Sequence, residues 1–200
     1  KSDFEKAIDF ELGEKNLLVT FHPVTLENST SETQFQELLD SISELKNTKI
    51  IFTKANSDTD GRIINSMIDA YVAKHDNTIA FVSMGQLNYL SALQFVDVVV
   101  GNSSSGLAEA PSFNIATIDI GDRQKGRIKA DSVISCLPSK DSIGKAFNEL
   151  YSKQFQSAVG KVENPYGKDG ASEEIVRIIK DISLGGIVKK SFYDFKGFSQ

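Results

Sequence analysis

Short runs of apolar and β-branched residues alternate along the chain with segments of helical periodicity. The runs are NLLVTF (16–21), TKIIFT (48–53), TIAFV (78–82), DVVV (97–100) and IATIDI (115–120). Between the first two, the apolar side chains of residues 31–46 fall three and four positions apart, as on one face of a helix. Apolar strands alternating with amphipathic helices build βαβ units and a parallel sheet covered on both faces. The pattern predicts an α/β, Rossmann-like fold, with Ser31, Asp60 and Ser139 as helix N-caps.

Composition narrows the class of protein. The chain has 200 residues, 40% of them hydrophobic, and a net charge of -5, which argues against general nucleic-acid binding. A single cysteine, Cys136, excludes an internal disulfide framework and suits a reducing cytoplasm. No run approaches the ~18 apolar residues of a membrane span. We therefore expect a cytoplasmic protein without nucleic-acid or membrane partners and, since no initiator Met is present, a piece of a longer chain.

The informative segments are those that follow the apolar runs. They are FHPVTLENST (21–30), KANSDTDG (54–61), VSMGQ (82–86), GNSSSG (101–106) and GDRQKGRIKADSV (121–133). Parallel sheets bind ligands beyond the carboxyl ends of their strands, where these segments would meet. One end of the sheet would thus collect a His, several Ser and Asn, two Arg and flexible Gly. Ordinary loops are polar as well, but loops in this position often carry function.

GNSSSG (101–106) is not one of the common nucleotide-binding motifs. Its two glycines have the spacing of a P-loop, but Leu107 and Ala108 stand where Lys and Ser/Thr are required. No G-x-G-x-x-G occurs, and G-x-S-x-G fails because the fifth residue is Ser105. What remains is a turn of small residues opening a helix. Its N–H groups and hydroxyls can hold phosphate oxygens without a metal, although an ordinary capped helix start is the alternative.

Individual polar residues also leave two interpretations open. Glu109, just beyond that turn, is either a solvated side chain or a bidentate acceptor for vicinal ribose hydroxyls. His22 follows the first run, and Pro23 favours an extended backbone there. A lone histidine is more often structural than catalytic. No His, Cys and carboxylate cluster has metal-ligand spacing, so we predict no metal site.

Four motifs in order carry a family resemblance over nearly the whole chain: VTFHPVT (19–25), GNSSSGLAEAPSF (101–113), IGDRQKGR (120–127) and NPYGKDGAS (164–172). Together they resemble the C-terminal half of UDP-N-acetylglucosamine 2-epimerases. The non-hydrolysing branch of that family usually has Gly-Gly-x-x-Glu-Glu where this chain has GNSSSGLAEA. The difference favours the hydrolysing branch, which supplies N-acetylmannosamine for sialic-acid synthesis. Relatives acting on diacetamido-trideoxyhexose nucleotides share the motifs.

The resemblance implies a domain organisation. The family has two Rossmann-like domains facing each other across a cleft, the glycosyltransferase-B arrangement, and the C-terminal domain binds most of the nucleotide. Residues 1–185 would be that UDP-sugar-binding domain, and residues 186–200 a tail or helix crossing back to the other domain. The N-terminal catalytic half would be absent from this chain and would be its partner. The full-length enzyme would be a homo-oligomer.

The resemblance also assigns roles to residues. UDP binding falls to Asn56, Asn102, Ser103, Ser104, Glu109 and Arg123. Ser103 and Ser104 would hold the diphosphate, Glu109 would accept the ribose hydroxyls, and Arg123 would add an always-charged guanidinium. Arg127 is a weaker candidate on the same segment. His22 would be catalytic, next to the diphosphate and the anomeric carbon.

The implied reaction has two steps. UDP is eliminated across C1–C2, and water then adds to the glycal-like intermediate to release N-acetylmannosamine. Such an elimination needs no redox cofactor, so no cofactor is expected. The C2 base belongs to the other half, so the fragment alone is expected to be inactive. A glycosyltransferase-B-type domain and a non-catalytic nucleotide-sugar-binding domain are the alternatives, and release of free sugar without an acceptor would separate the first from an epimerase. The sequence does not distinguish N-acetylglucosamine from a 4-acetamido-6-deoxy derivative.

Overall fold

Within the part of the chain that the structure describes, six parallel strands form one sheet in the order β3-β2-β1-β4-β5-β6. They are β1 (Lys15–Thr20), β2 (Thr48–Thr53), β3 (Thr78–Phe81), β4 (Val98–Gly101), β5 (Ala116–Ile120) and β6 (Val133–Cys136). This strand order is that of the Rossmann fold, with a topological switch point between β1 and β4. The predicted class is confirmed, and each predicted strand lies within one residue of an observed one. The last strand, β6, lies beyond the five runs named above.

The computed structural model describes residues 1–24, 30–56, 59–167 and 169–189. Its helices are α1 (Ser2–Ile8), α2 (Ser31–Ile42), α3 (Thr59–Val72), α4 (Gly85–Ala92), α5 (Ser105–Ala108), α6 (Lys140–Leu150), α7 (Lys153–Val159) and α8 (Ala171–Asp181), with a 3-10 turn at Ala110–Phe113. The chain divides into a unit of residues 1–167, which holds the sheet, and a unit of residues 168–200, which holds α8. Parts of three ranges named in the sequence analysis lie outside the described residues. They are 25–29 of the segment 21–30, 57–58 of the segment 54–61, and 190–200 of the predicted tail.

The sheet has an apolar core on each face. Leu17 and Val19 of β1 belong to one core cluster, which α2, α3 and α6 cover. Leu18, between them, belongs to the other cluster, to which α1 and α4 contribute. Successive side chains of a strand point to opposite faces, so a strand buried on both sides reads as a continuous apolar run. The helices on both faces thus explain the runs seen in the sequence.

One of the three predicted helix caps is confirmed. Ser139 is the N-cap of α6, and its hydroxyl accepts a hydrogen bond from the Ser142 N–H. The other two predictions are wrong because each helix begins earlier than expected. Thr30 occupies the N-cap position of α2, and Asp60 lies in the first turn of α3. An acidic residue in a first turn still interacts favourably with the helix dipole.

The two glycines of the 101–106 turn are required by packing. Gly101 has φ of 135°, and a Cβ atom there would lie 1.9 Å from the carbonyl oxygen of Thr20 on β1. At Gly106 a Cβ atom would lie 2.6 Å from Cγ2 of Thr117, whose hydroxyl donates to the Gly106 carbonyl at 2.7 Å. The first glycine brings the ends of β1 and β4 together, and the second seats α5 directly on β5. The spacing of these glycines therefore serves the sheet, not a P-loop.

Helix α8 carries an apolar face. Ile175, Ile178, Ile179 and Ile182 follow one another at three- and four-residue spacing and are about half exposed. On the polar side Arg177 pairs with Glu174 and Asp181. Of the predicted tail, only residues 186–189 are described, so the crossover helix remains a prediction. Within the described ranges, no helix has the length and apolar character needed to cross a membrane.

Candidate functional site

A cleft of about 710 Å³ opens at the carboxyl ends of β1 to β4. Its walls come from the ends of β1 and β2, from the segment 82–90, and from Ser103, Ser105 and Glu109. It lies at the switch point of the sheet, where ligands of doubly wound folds bind. Another hollow of about 720 Å³, between residues 129–131 and 157–165, contains none of the predicted site residues. The cleft brings together His22, Ser103 and Glu109 and is therefore the candidate site.

Asn102 joins three of the segments that follow the strands: 21–30, 101–106 and 121–133. Its side chain is 1% exposed, and its amide oxygen accepts from the His22 N–H at 2.7 Å while its amide nitrogen donates to the His22 carbonyl at 2.8 Å. The Asn102 carbonyl accepts from Nη1 of Arg123 at 3.0 Å and from Nε2 of Gln124 at 2.7 Å. The Asn102 side chain thus holds the main chain of His22 in place. A contact between Asn102 and a ligand remains a prediction.

Arg123 lies beside the turn and not in the interior. Its side chain is exposed, and the hydrogen bond to Asn102 fixes one edge of the guanidinium. The neighbouring Gln124 is buried against the same carbonyl, a role that sequence reasoning missed. In the sequence, Gln124 was marked only as part of the GDRQKGR motif. The segment after β5 therefore places the charged Arg123 side chain at the edge of the turn. The buried Gln124 amide binds the same segment to the Asn102 carbonyl.

The turn does not use the Ser104 hydroxyl to cap the helix that follows it. Ser104 occupies the N-cap position of α5, but its hydroxyl makes no capping hydrogen bond. The Ser104 carbonyl accepts from the Leu107 and Ala108 N–H groups at 3.0 and 2.9 Å. The Ser103 hydroxyl accepts from the Ser105 N–H at a long 3.4 Å. The capped-helix interpretation of the turn therefore receives no support at Ser104.

Glu109 is connected to two residues that sequence reasoning missed. The Ser105 hydroxyl donates to Oε2 of Glu109 at 2.5 Å, and the Tyr89 hydroxyl bonds to Ser105 Oγ. Burial raises the pKa of Tyr89; the Ser105 hydrogen bond opposes this shift and the charge of Glu109 adds to it. Tyr89 therefore remains a neutral donor. The four-residue spacing of Ser105 and Glu109 could have signalled their bond, but nothing local signalled Tyr89.

Asn56 is placed differently from the other predicted residues. It is exposed beyond the end of β2, and the residues of that strand end that line the cleft are Thr53 and Lys54. The Lys54 ammonium lies 2.6 Å from a carboxylate oxygen of Asp69. Among the described residues, no group of three or more His, Cys, Asp and Glu side chains is arranged to hold a metal ion.

The sequence model of the UDP-N-acetylglucosamine 2-epimerase family matches residues 1–180. The chain belongs to the UDP-N-acetylglucosamine 2-epimerase family. Within it, the chain is 35% identical over 196 residues to the GDP/UDP-N,N'-diacetylbacillosamine 2-epimerase (hydrolyzing) of Campylobacter jejuni, covering 97% of this chain and 50% of that protein. It is 40% identical over 182 residues to the polysialic acid biosynthesis protein P7 of Escherichia coli, covering 90% of this chain and 45% of that protein.

Several solved structures share the fold. The co-structure of S. aureus MnaA with UDP superimposes with a TM-score of 0.70 at 20% identity, covering 98% of this chain and 52% of that one. The chain spans about half the length of the curated relatives it matches. The family model thus matches nearly the whole of this chain, whereas this chain aligns with only about half of each relative.

Proposed function

We propose that this chain is the nucleotide-binding half of a hydrolysing UDP-N-acetylglucosamine 2-epimerase. The observation that carries the proposal is the convergence of His22, Ser103 and Glu109 on one cleft at the switch point of the sheet, next to a turn whose Asn102 carbonyl binds Arg123. A Campylobacter relative named as a hydrolysing 2-epimerase, of which the chain spans half, supports both the reaction type and the half-enzyme assignment. The proposed substrates are UDP-N-acetylglucosamine and water, and the products are N-acetylmannosamine and UDP.

The ribose and base of UDP would occupy the part of the cleft next to α4 and α5. Glu109 is an acceptor-only carboxylate, which suits the two hydroxyl donors of a ribose. Val82 is 81% exposed at the rim of the cleft and offers an apolar surface for the uracil. The segment 82–86 between β3 and α4 would contribute backbone groups to the base.

The diphosphate would lie over the 101–106 turn. The hydroxyls and N–H groups of Ser103 and Ser104 would donate to phosphate oxygens. A guanidinium has five N–H donors, so the bond from Arg123 to Asn102 leaves others for a phosphate. Arginine can also bind phosphate in a bidentate manner. Positive charge at this point would stabilise UDP as it departs, and such stabilisation of a leaving group is a large source of rate.

His22 would act on the leaving group. In the first step a base removes the C2 proton, and the C1–O bond breaks with its electron pair leaving on UDP. Water then adds at C1, and a proton returns to C2 on the opposite face, which gives the manno configuration. The C2 base would come from the part of the enzyme that this chain does not match in its relatives. The chain alone should therefore bind UDP without turning over the sugar nucleotide.

The phosphate-binding role is tested by shortening the ligand. Arg123→Ala and Ser104→Ala should weaken UDP binding but leave uridine almost unchanged. For Arg123 the loss should be about 10- to 100-fold, since hydrogen bonds to a charged group are worth roughly 1.5–3 kcal/mol. Arg123→Lys should restore part of it, because a point charge replaces a planar fork. Calorimetric titration of UDP, UMP and uridine measures the pattern.

Arg127→Ala is the matched control, since it removes the same charge from the same exposed segment. It should change UDP affinity much less than Arg123→Ala. A uniform loss for UDP, UMP and uridine in the Arg123 and Ser104 variants would show that the turn does not bind phosphate. The nucleotide would then have to lie elsewhere.

Glu109→Gln should weaken UDP binding because the amide replaces one acceptor oxygen with a donor. The expected loss is about 10-fold for UDP and smaller for 2′-deoxy-UDP, which lacks one of the two hydroxyls, as hydrogen bonds to charged groups contribute roughly 1.5–3 kcal/mol. Glu149→Gln on the exposed side of α6 is the control and should leave both affinities unchanged. Equal losses for the two nucleotides would place the ribose away from Glu109.

A further inference from the structure

Two hydroxyl groups form a series of hydrogen bonds that ends at Glu109. The side chains of Tyr89 on α4, Ser105 on α5 and Glu109 are joined in that order, and all three line the cleft. We infer that Tyr89, acting through Ser105, positions the Glu109 carboxylate for a ribose diol and so makes the site selective for ribonucleotides over 2′-deoxyribonucleotides. The inference deepens the proposed function and rests on it for the identity of the ligand.

The direction of the hydrogen bonds follows from proton counting. An ionised carboxylate can only accept, so the single hydroxyl proton of Ser105 goes to Oε2 of Glu109. Ser105 Oγ must then accept from Tyr89, and the phenol is the donor at the start of the chain. With one oxygen of Glu109 engaged by Ser105, the other oxygen remains an acceptor on a residue that lines the cleft. A ligand that pairs with it must bring hydroxyl or N–H donors.

The hydrogen bonds connect a packed side chain to an exposed one. The Tyr89 ring packs against the core cluster that contains Met84, Ala92 and Leu93. Glu109, in contrast, is exposed and lies where α5 ends and the 3-10 turn begins. An exposed glutamate samples several rotamers, and ordering it on ligand binding costs conformational entropy. A bond that selects one rotamer before the ligand arrives reduces that cost, which is the general advantage of a preorganised site.

A ratio of two ligands separates positioning from simple packing. The affinities of UDP and 2′-deoxy-UDP are measured by calorimetry for the unsubstituted protein and for four variants. These are Tyr89→Phe, Ser105→Ala, Glu109→Gln and the double variant Tyr89→Phe/Glu109→Gln. Tyr89→Phe and Ser105→Ala should each lower the preference for UDP by about 3- to 10-fold, within the range of one neutral hydrogen bond. Affinity for 2′-deoxy-UDP should change by much less. With Glu109→Gln already present, Tyr89→Phe should have no further effect.

Tyr71→Phe is the matched control. Tyr71 is partly buried on α3, where its ring contacts Phe52 and His75, and it does not line the cleft. Its substitution should leave the ratio of the two affinities unchanged. Equal losses for both nucleotides in Tyr89→Phe would mean that Tyr89 contacts the base or only packs, and would overturn the inference. So would a Tyr89→Phe effect that persists at full size in the Glu109→Gln background.

A second readout needs no ligand. In urea unfolding, Tyr89→Phe and Glu109→Gln should be less than additive, because each breaks the same chain of hydrogen bonds. Additive effects would reject the inference directly. If no uridine nucleotide binds any variant while the unfolding effects are coupled, the proposed function fails and Tyr89 still positions Glu109. The two failures are therefore distinguishable.

Discussion

Replacement of His22 by alanine should lower turnover by roughly 10²- to 10⁴-fold, the usual contribution of a positioned acid or base. The experiment requires a full-length enzyme containing this chain, assayed for release of UDP and free sugar without an acceptor. UDP affinity should change far less than turnover, because the turn and Glu109 would still hold the nucleotide. His22 lies two residues beyond the end of β1, where it lines the cleft.

The second histidine of the chain provides the control. His75 lies beyond α3, where its Nδ1 is 2.7 Å from the Tyr71 carbonyl and its ring stacks on Tyr71. His75→Gln should leave turnover close to that of the parent enzyme. A His22→Ala enzyme with intact turnover but poor UDP affinity would make His22 a phosphate ligand and refute its catalytic role.

Gly101→Ala should destabilise the chain by about 3 kcal/mol or more, at the upper end of single-residue effects. Alanine is strained at φ of 135°, and its Cβ would overlap the Thr20 carbonyl, a backbone group that cannot move aside. Urea unfolding measures the loss, and failure to fold at all would be its extreme form. The bond network through Asn102 lies directly beside this contact, so ligand binding should be lost as well.

Gly144→Ala is the opposite case on the same scaffold. Gly144 lies inside α6, and a Cβ atom there would meet nothing within 4 Å. Because glycine is a poor helix former, this substitution should stabilise the chain by about 0.5–1 kcal/mol. A Gly101→Ala chain as stable as the parent would mean that β1 and β4 do not meet as described.

The strands could be predicted because their signal is local. A strand buried on both faces is mostly apolar along its length, and this is visible in runs of four to six residues. Helix starts were less certain, since several polar residues precede each helix and only one caps it. The predictions at Ser31 and Asp60 failed in this way, by one or a few positions.

The site was only partly visible in the sequence, for a reason of distance along the chain. Residues such as His22 and Glu109 could be selected because they follow strands whose ends must meet. The supporting contacts could not, since the partners of Asn102 lie 80 residues before it at His22 and 21 residues after it at Arg123. Asn56 shows the converse: it follows a strand as required, yet the cleft wall there is formed by Lys54.

The way Asn102 holds His22 has a consequence for how such a site can change. Both ends of the Asn102 amide bind the main chain of residue 22 and neither binds the imidazole. The scaffold would therefore accept a different side chain at position 22 without losing the link between β1 and β4. We therefore expect that the proposed reacting group, the His22 side chain, can be exchanged by selection or engineering while the main-chain frame held by Asn102 stays intact.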